Sequence, residues 1–159
     1  MIYFLINIDD YKITEHVPES FIKNNYSIYE YDLIKKILNS FYNIHNFEIK
    51  YTENGKPYLD NNLFLSISHD ENYLCVCISK EEVGIDIQFK KEFNNDINSI
   101  LNVDKKLDNN DVTNIFSKKE AIIKLEGKRL KDINNINIDD YHIKSIEYND
   151  FLLNIATFR

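Results

Sequence analysis

Three short blocks put polar and ionisable side chains inside otherwise apolar stretches: Leu65-Ser66-Ile67-Ser68-His69, Val83-Gly84-Ile85-Asp86-Ile87-Gln88 and Phe116-Ser117-Lys118-Lys119-Glu120-Ala121-Ile122-Ile123-Lys124. Burying such groups is costly unless they find partners, so a core excludes them unless they work together. Read as a strand, the middle block sends Val83, Ile85, Ile87 and Phe89 to one face and Gly84, Asp86 and Gln88 to the other. The second face offers a carboxylate and an amide oxygen, ligands suited to a hard divalent cation such as Mg²⁺. Gly84 beside them lets a ligand approach the backbone. The same pattern also describes the polar outer face of an edge strand. Read as a helix, the last block stacks Glu120 and Lys124 on one side, which on its own describes a surface ion pair of small worth. If that helix faces the strand, Glu120 joins Asp86 as a metal ligand, and Lys124 sits where a cation neutralises phosphate charge. Ser66 and Ser68 share a face of a strand ending at His69, and Lys56 is a positive charge on the stiff turn Gly55-Lys56-Pro57. Two carboxylates for a metal, with lysines and a histidine for phosphate oxygens, suit metal-assisted phosphoryl transfer, which works by positioning and charge stabilisation. No nucleophilic triad, Walker loop or Gly-rich dinucleotide motif is present, so ATP and NAD are not favoured.

These groups need elements to hold them. Met1 to Ile8 reads as a strand, Glu19 to Asn24 as a helical stretch opened by Pro18, and Tyr29 to Tyr42 as a helix by its apolar period. Phe47 to Tyr51 alternates as a strand, and Asn54-Gly55-Lys56-Pro57 is a turn. Leu63 to Ser68 and Tyr73 to Ser79 read as a strand pair joined by His69 to Asn72, and Glu82 to Phe89 as another strand. The polar segment Lys90 to Asn114 holds one short helix, Ile97 to Leu101, and a loop. Asp108-Asn109-Asn110-Asp111 lacks the glycine and distal glutamate of a calcium loop. Phe116 to Glu126 is a helix stopped by Gly127, and Asp140 to Glu147 with Asp150 to Phe158 is a final antiparallel pair. The class is therefore α+β with mainly antiparallel strands and packed helices.

At 159 residues the chain suffices for one domain, or for two half-domains sharing a core. Its net charge of -7 argues against nucleic acid as a general partner. The basic residues from Lys118 to Lys131 form either a solvated face or a surface for an acidic partner. Cys75 and Cys77, two apart in an apolar run, read as buried small residues and fit a reducing cytoplasm. Asn pairs, such as Asn61-Asn62, Asn94-Asn95 and Asn109-Asn110, read as loop marks. The apolar N-terminus is short and has no basic flank, and no run reaches the length of a membrane span.

In this order, Gly55-Lys56-Pro57, Ile67-Ser68-His69, Gly84-Ile85-Asp86-Ile87 and Phe116-Ser117-x-Lys119-Glu120-Ala121-x-x-Lys124 resemble the four signatures of the 4′-phosphopantetheinyl transferases, in particular the larger monomeric type. The resemblance spans roughly Gly55 to Lys128. It implies an Mg²⁺-dependent enzyme (Mn²⁺ being an alternative ion) that moves the phosphopantetheine arm of coenzyme A onto a serine of an apo acyl, peptidyl or aryl carrier protein, releasing 3′,5′-ADP. A non-catalytic homologue that binds coenzyme A or a carrier protein is the alternative. By resemblance, Asp86, Gln88 and Glu120 hold the metal, and Glu120 or a metal-bound water takes the serine proton. Lys124 stabilises the phosphates, and Lys56, Ser68, His69, Asp86, Lys119 and Lys124 contact coenzyme A. The implied fold is two similar α+β halves related by a pseudo-twofold, about 1–88 and 89–159, in a single-domain monomer. The chain departs from the pattern at several places. Many members carry Glu where this chain has Gln88. Ser66 replaces the usual Asn, Phe116 the usual Trp, and Arg129 a common Gly. Ser27 stands near the place of an arginine that contacts coenzyme A. The chain is also shorter than the larger members between Phe89 and Phe116 and after Lys131.

Overall fold

Short apolar strands separated by polar turns build two antiparallel sheets, which the computed structural model describes through residues 1–91, 96–101 and 107–159. Strands β1 (Ile2–Asn7), β2 (Ile49–Tyr51), β3 (Pro57–Leu59), β4 (Phe64–Asp70) and β5 (Tyr73–Ser79) form the first, in the order β1-β5-β4-β3-β2. Strands β6 (Gly84–Phe89), β7 (Tyr141–Glu147) and β8 (Phe151–Phe158) form the second, in the order β6-β8-β7. The fold is α+β, as expected.

Helix α1 (Ser27–Ile37) covers one face of the first sheet, packing Leu33, Ile34 and Ile37 with Leu65, Leu74, Val76 and Ile78. On the opposite face Cys75 and Cys77 meet Val83, just before the second sheet, and Ile85, Ile87, Leu153 and Ile155 within it. Helix α2 (Asp96–Leu101) is short. Helix α3 (Asn109–Glu126) buries Ala121, Ile122 and Leu125 with Ala156 on the far side of the second sheet. The layers thus run α1, sheet, sheet, α3.

The two sheets are tied by side chains. Strand β6 pairs with β8 along one edge. On its other edge the N–H groups of Ile85 and Ile87 donate to Ser66 Oγ and Ser68 Oγ, both at 3.0 Å, and that of Phe89 donates to Asp70 Oδ2 at 2.8 Å. Alternate residues of β4 therefore take the place of a partner strand's carbonyls, so buried backbone donors are not left unpaired.

Several elements differ from the sequence reading. Helix α3 begins at Asn109 rather than Phe116, because Asp108 caps it by accepting from the Asp111 N–H at 2.8 Å. The Asn109-Asn110 pair is helical, not a loop mark. The stretch Glu19 to Asn24 contracts to one 3₁₀ turn, Glu19–Phe21. Helix α1 ends in a wider π turn, Leu38–Tyr42, closed by Asn43 at φ 55°. Strand β4 continues through His69 and Asp70, leaving a tight turn at Glu71, and β3 was not foreseen. The Asn94-Asn95 loop mark lies outside the described residues. Among the described residues no helix is long and apolar enough to cross a membrane.

Candidate active site

The polar face of β6 is not an outer face. Gly84, Asp86 and Gln88 are buried because α3 lies across them. A Cβ on Gly84 would fall 2.0 Å from the Ala121 carbonyl oxygen and 2.3 Å from the Leu125 nitrogen. This corrects the reading of Gly84 as room for a ligand: its missing side chain admits the helix backbone. Ser117, in the third block, accepts from Asn154 Nδ2 at 2.9 Å and so fixes α3 to β8.

That close approach brings the three blocks together. Asp86, 2% exposed, accepts at Oδ1 from Ser68 Oγ at 3.0 Å and from Lys124 Nζ at 2.8 Å. Lys124 also donates to Ser68 Oγ at 2.8 Å, closing a triangle of β4, β6 and α3. With the N–H of Ile87 donating to it as well, the Ser68 hydroxyl has two donors and one acceptor. The other Asp86 oxygen, Oδ2, is buried and has no hydrogen-bond partner among the described residues. An unpaired buried carboxylate oxygen is unfavourable by about 1–3 kcal/mol, and its chemistry fits a bound cation.

Asp86 and Glu120 border one cavity of about 410 Å³, together with Ser68, His69, Gln88 and Lys124. Burial, with Asp86 and Asp70 adding negative charge, pushes the Glu120 carboxyl up to about 7, against the pull of Lys124 and Lys91. A carboxyl titrating near neutrality is suited to exchange a proton with substrate. His69 stacks on Tyr26 with ring centroids 3.8 Å apart. Burial and the nearby Lys124 hold its pKa below the ordinary histidine value, so it is neutral at pH 7.

Two residues implied by the resemblance point elsewhere. Lys56 Nζ donates to the Leu125 carbonyl at the C-terminal end of α3, where a cation meets the negative end of the helix dipole. It borders a second cavity of about 240 Å³, which adjoins the first because Ile67 and Lys124 line both. Lys119 is buried on the other side of α3, donating to the Leu101 carbonyl at 3.0 Å, and burial lowers its pKa. The basic stretch is correspondingly dispersed, with Lys128 paired to Glu126 and Arg129 bonded to Asn54 Oδ1. Ser27, buried at the start of α1, accepts from the N–H groups of Lys23 and Asn24. Asp70 and Lys91, which lie outside the three sequence blocks, also border the cavity beside Glu120. The alternation Ser66-x-Ser68-x-Asp70 is the signal that would have found the first.

No group of three or more His, Cys, Asp or Glu converges as a metal cluster among the described residues. Fold and site define an α+β protein with a carboxylate and lysine cavity where one sheet, the edge of a second and a helix meet. No family model matches the chain. It is 32% identical over 129 residues to the 4′-phosphopantetheinyl transferase gsp of Aneurinibacillus migulanus, covering 73% of this chain and 54% of that protein. The chain is similar to this transferase over most of its own residues, and it spans about half the length of this curated relative.

Proposed function

We propose that the chain is an enzyme that transfers the 4′-phosphopantetheine arm of coenzyme A to a serine of an apo carrier protein. The serine oxygen forms a bond to the phosphorus bearing the pantetheine, the bridging P–O bond breaks, and 3′,5′-ADP leaves. Asp86, Glu120 and the amide oxygen of Gln88 would hold Mg²⁺, or Mn²⁺ in its place. The buried, unpartnered Asp86 Oδ2 supports this reading more than any other single observation. The ion, when bound, offsets negative charge on the pyrophosphate.

The protein side chains divide the remaining work. Glu120, half-ionised near neutral pH, accepts the serine proton. Lys124 supplies positive charge to the phosphates, and Ser68 fixes its ammonium group. His69, neutral and held flat by Tyr26, offers a hydrogen bond rather than a charge. Lys56 reaches a nucleotide phosphate only by giving up the Leu125 carbonyl. Lys119 has no role in this scheme, since its ammonium is spent on Leu101.

The wider reading is a monomer of one domain, its two halves meeting near residue 88, working in the cytoplasm. Two buried free cysteines suit a reducing compartment. Intact-mass measurement of apo carrier proteins incubated with coenzyme A, Mg²⁺ and this protein tests the function. One phosphopantetheine per carrier is expected, and none with Asp86→Ala or Glu120→Ala. No mass gain on a panel of fatty-acid, polyketide and peptide carriers would overturn the assignment. Coenzyme A binding without transfer would favour the non-catalytic homologue, the reading that Gln88 in place of an acid supports.

A further inference from the structure

Asp70 and Gln88 form a pair that the site's simplest description leaves out. Gln88 is 4% exposed, and its Nε2 donates to Asp70 Oδ2 at 2.8 Å. The Phe89 N–H donates to the same oxygen, also at 2.8 Å. The second contact of the amide nitrogen is the Phe89 carbonyl at 3.5 Å. A carboxylate only accepts, so the amide can face Asp70 through its nitrogen alone. Its oxygen, Oε1, is therefore the end of the amide turned away from Asp70. Asp70 and Gln88 both border the cavity that contains Asp86 and Glu120.

We propose that Asp70 is the positioning residue of the divalent-cation site, supplying from β4 the third negative charge that Gln88 lacks on β6. The proposal rests on the metal reading above. Gln88 gives the ligand oxygen, and Asp70, one hydrogen bond behind it, gives the charge. The anion on the amide nitrogen orients the group and shifts electron density toward Oε1. Partners of this kind tune metal affinity through the ligand they hold. Asp70 acts through Gln88, since no three acids converge on one point among the described residues. A glutamate at position 88 would place two carboxylates at hydrogen-bond distance, so the acid on β4 and the amide on β6 make a matched exchange.

Mn²⁺ titration of the protein without coenzyme A, followed by the electron paramagnetic resonance signal of the free ion, tests this, with a metal-free thermal melt reporting folding. Asp70→Asn keeps an acceptor for the Phe89 N–H and should weaken Mn²⁺ binding by roughly 10–100-fold. Gln88→Glu alone should not tighten it. The double variant D70N/Q88E returns the charge to β6 beside an amide on β4, and should restore wild-type affinity. Wild-type affinity in D70N, or a double variant no better than D70N, overturns the proposal while leaving the metal site standing. If D70N does not fold, the comparison of Q88E with the double variant decides: no gain in affinity from adding D70N overturns the proposal. Failure of the wild-type protein to bind Mn²⁺, or binding unchanged by Glu120→Ala, overturns the metal reading itself.

Discussion

At the scale of the residue, Glu120 is the group whose surroundings say most. Its carboxyl is raised from an ordinary 4.5 to about 7, chiefly by burial and then by Asp86. Between those two pH values the unfolded chain has released a proton that the fold retains. The protonated fold is therefore favoured at low pH, and this contribution to stability is lost as pH rises through about 7. Glu120→Gln removes the titration. Its gain in stability over wild type should grow between about pH 5.5 and about pH 8 by about 2 kcal/mol, at 1.36 kcal/mol per pKa unit. Urea denaturation of both proteins at the two pH values measures the difference. A gain that is equal at both would mean that Glu120 is not held in a raised state by its neighbours. Asp32 shows the opposite logic away from the site. It is buried in α1 but accepts from Tyr11, from the N–H groups of Thr14 and Glu15, and from Lys36. Burial works against it, yet Lys36 and those donors prevail and hold its pKa down. A buried acid with enough donors is an anchor, and one facing another acid is poised for chemistry.

At the scale of the element, close packing of α3 on β6 decides the site, and Gly84 decides that packing. Gly84→Ala would push a methyl group into helix backbone rather than into a movable side chain. It should destabilise the fold by about 3 kcal/mol or more and move Lys124 away from Asp86. Gly55→Ala provides the contrast. Nothing lies within 4 Å of its would-be Cβ, and only its φ of 87° resists substitution, so about 1 kcal/mol is expected. Urea midpoints at constant m-value rank the two variants, and equal losses would show that the helix can shift to admit a methyl. How much of this was legible in the sequence depends on the range of each interaction. The strands Tyr73 to Ser79 and Asp150 to Phe158 were readable because a short apolar run between polar turns is a local signal, and Gly127 marked the end of α3 for the same reason. The start of α3 was hidden because Asp108, Asn109 and Asn110 serve a loop as well as a cap. Asp86 and Glu120 stood out as acids in apolar runs. Which way a lysine reaches is set by neighbours far along the chain. Lys56 meets Leu125 and Lys119 meets Leu101, and spacing alone could not assign them. The role of Asp70 was out of sight because it depends on how the edge of β6 crosses the face of β4.

At the scale of the whole molecule, the site gathers groups from layers that meet at one apolar interface. Ser68 and His69 come from the first sheet, Asp86 from the second, and Lys124 from the helix beyond it. Cys75 and Cys77 sit in the interface between the sheets, each 0% exposed, and burial raises both thiols above their ordinary values. Scarce thiolate and closed packing both protect them. A thiol reagent therefore reaches them when the layers part, which makes its rate a gauge of that opening. A ligand that touches groups from both sheets binds the closed arrangement and not the open one, so it must slow the reaction by mass action. Desulfo-coenzyme A, which has no thiol of its own, is the suitable probe with Mg²⁺. At about 100 times its dissociation constant it should oppose opening by about 2.7 kcal/mol, which reads as labelling about a hundredfold slower. Asp86→Ala should weaken this protection without exposing the cysteines, because the apolar cluster that covers them, Val83, Ile85, Ile87, Leu153 and Ile155, stays intact. Labelling unchanged by the saturated ligand would mean that coenzyme A contacts one layer alone, and the cavity beside Glu120 would then be the wrong place to seek its pyrophosphate.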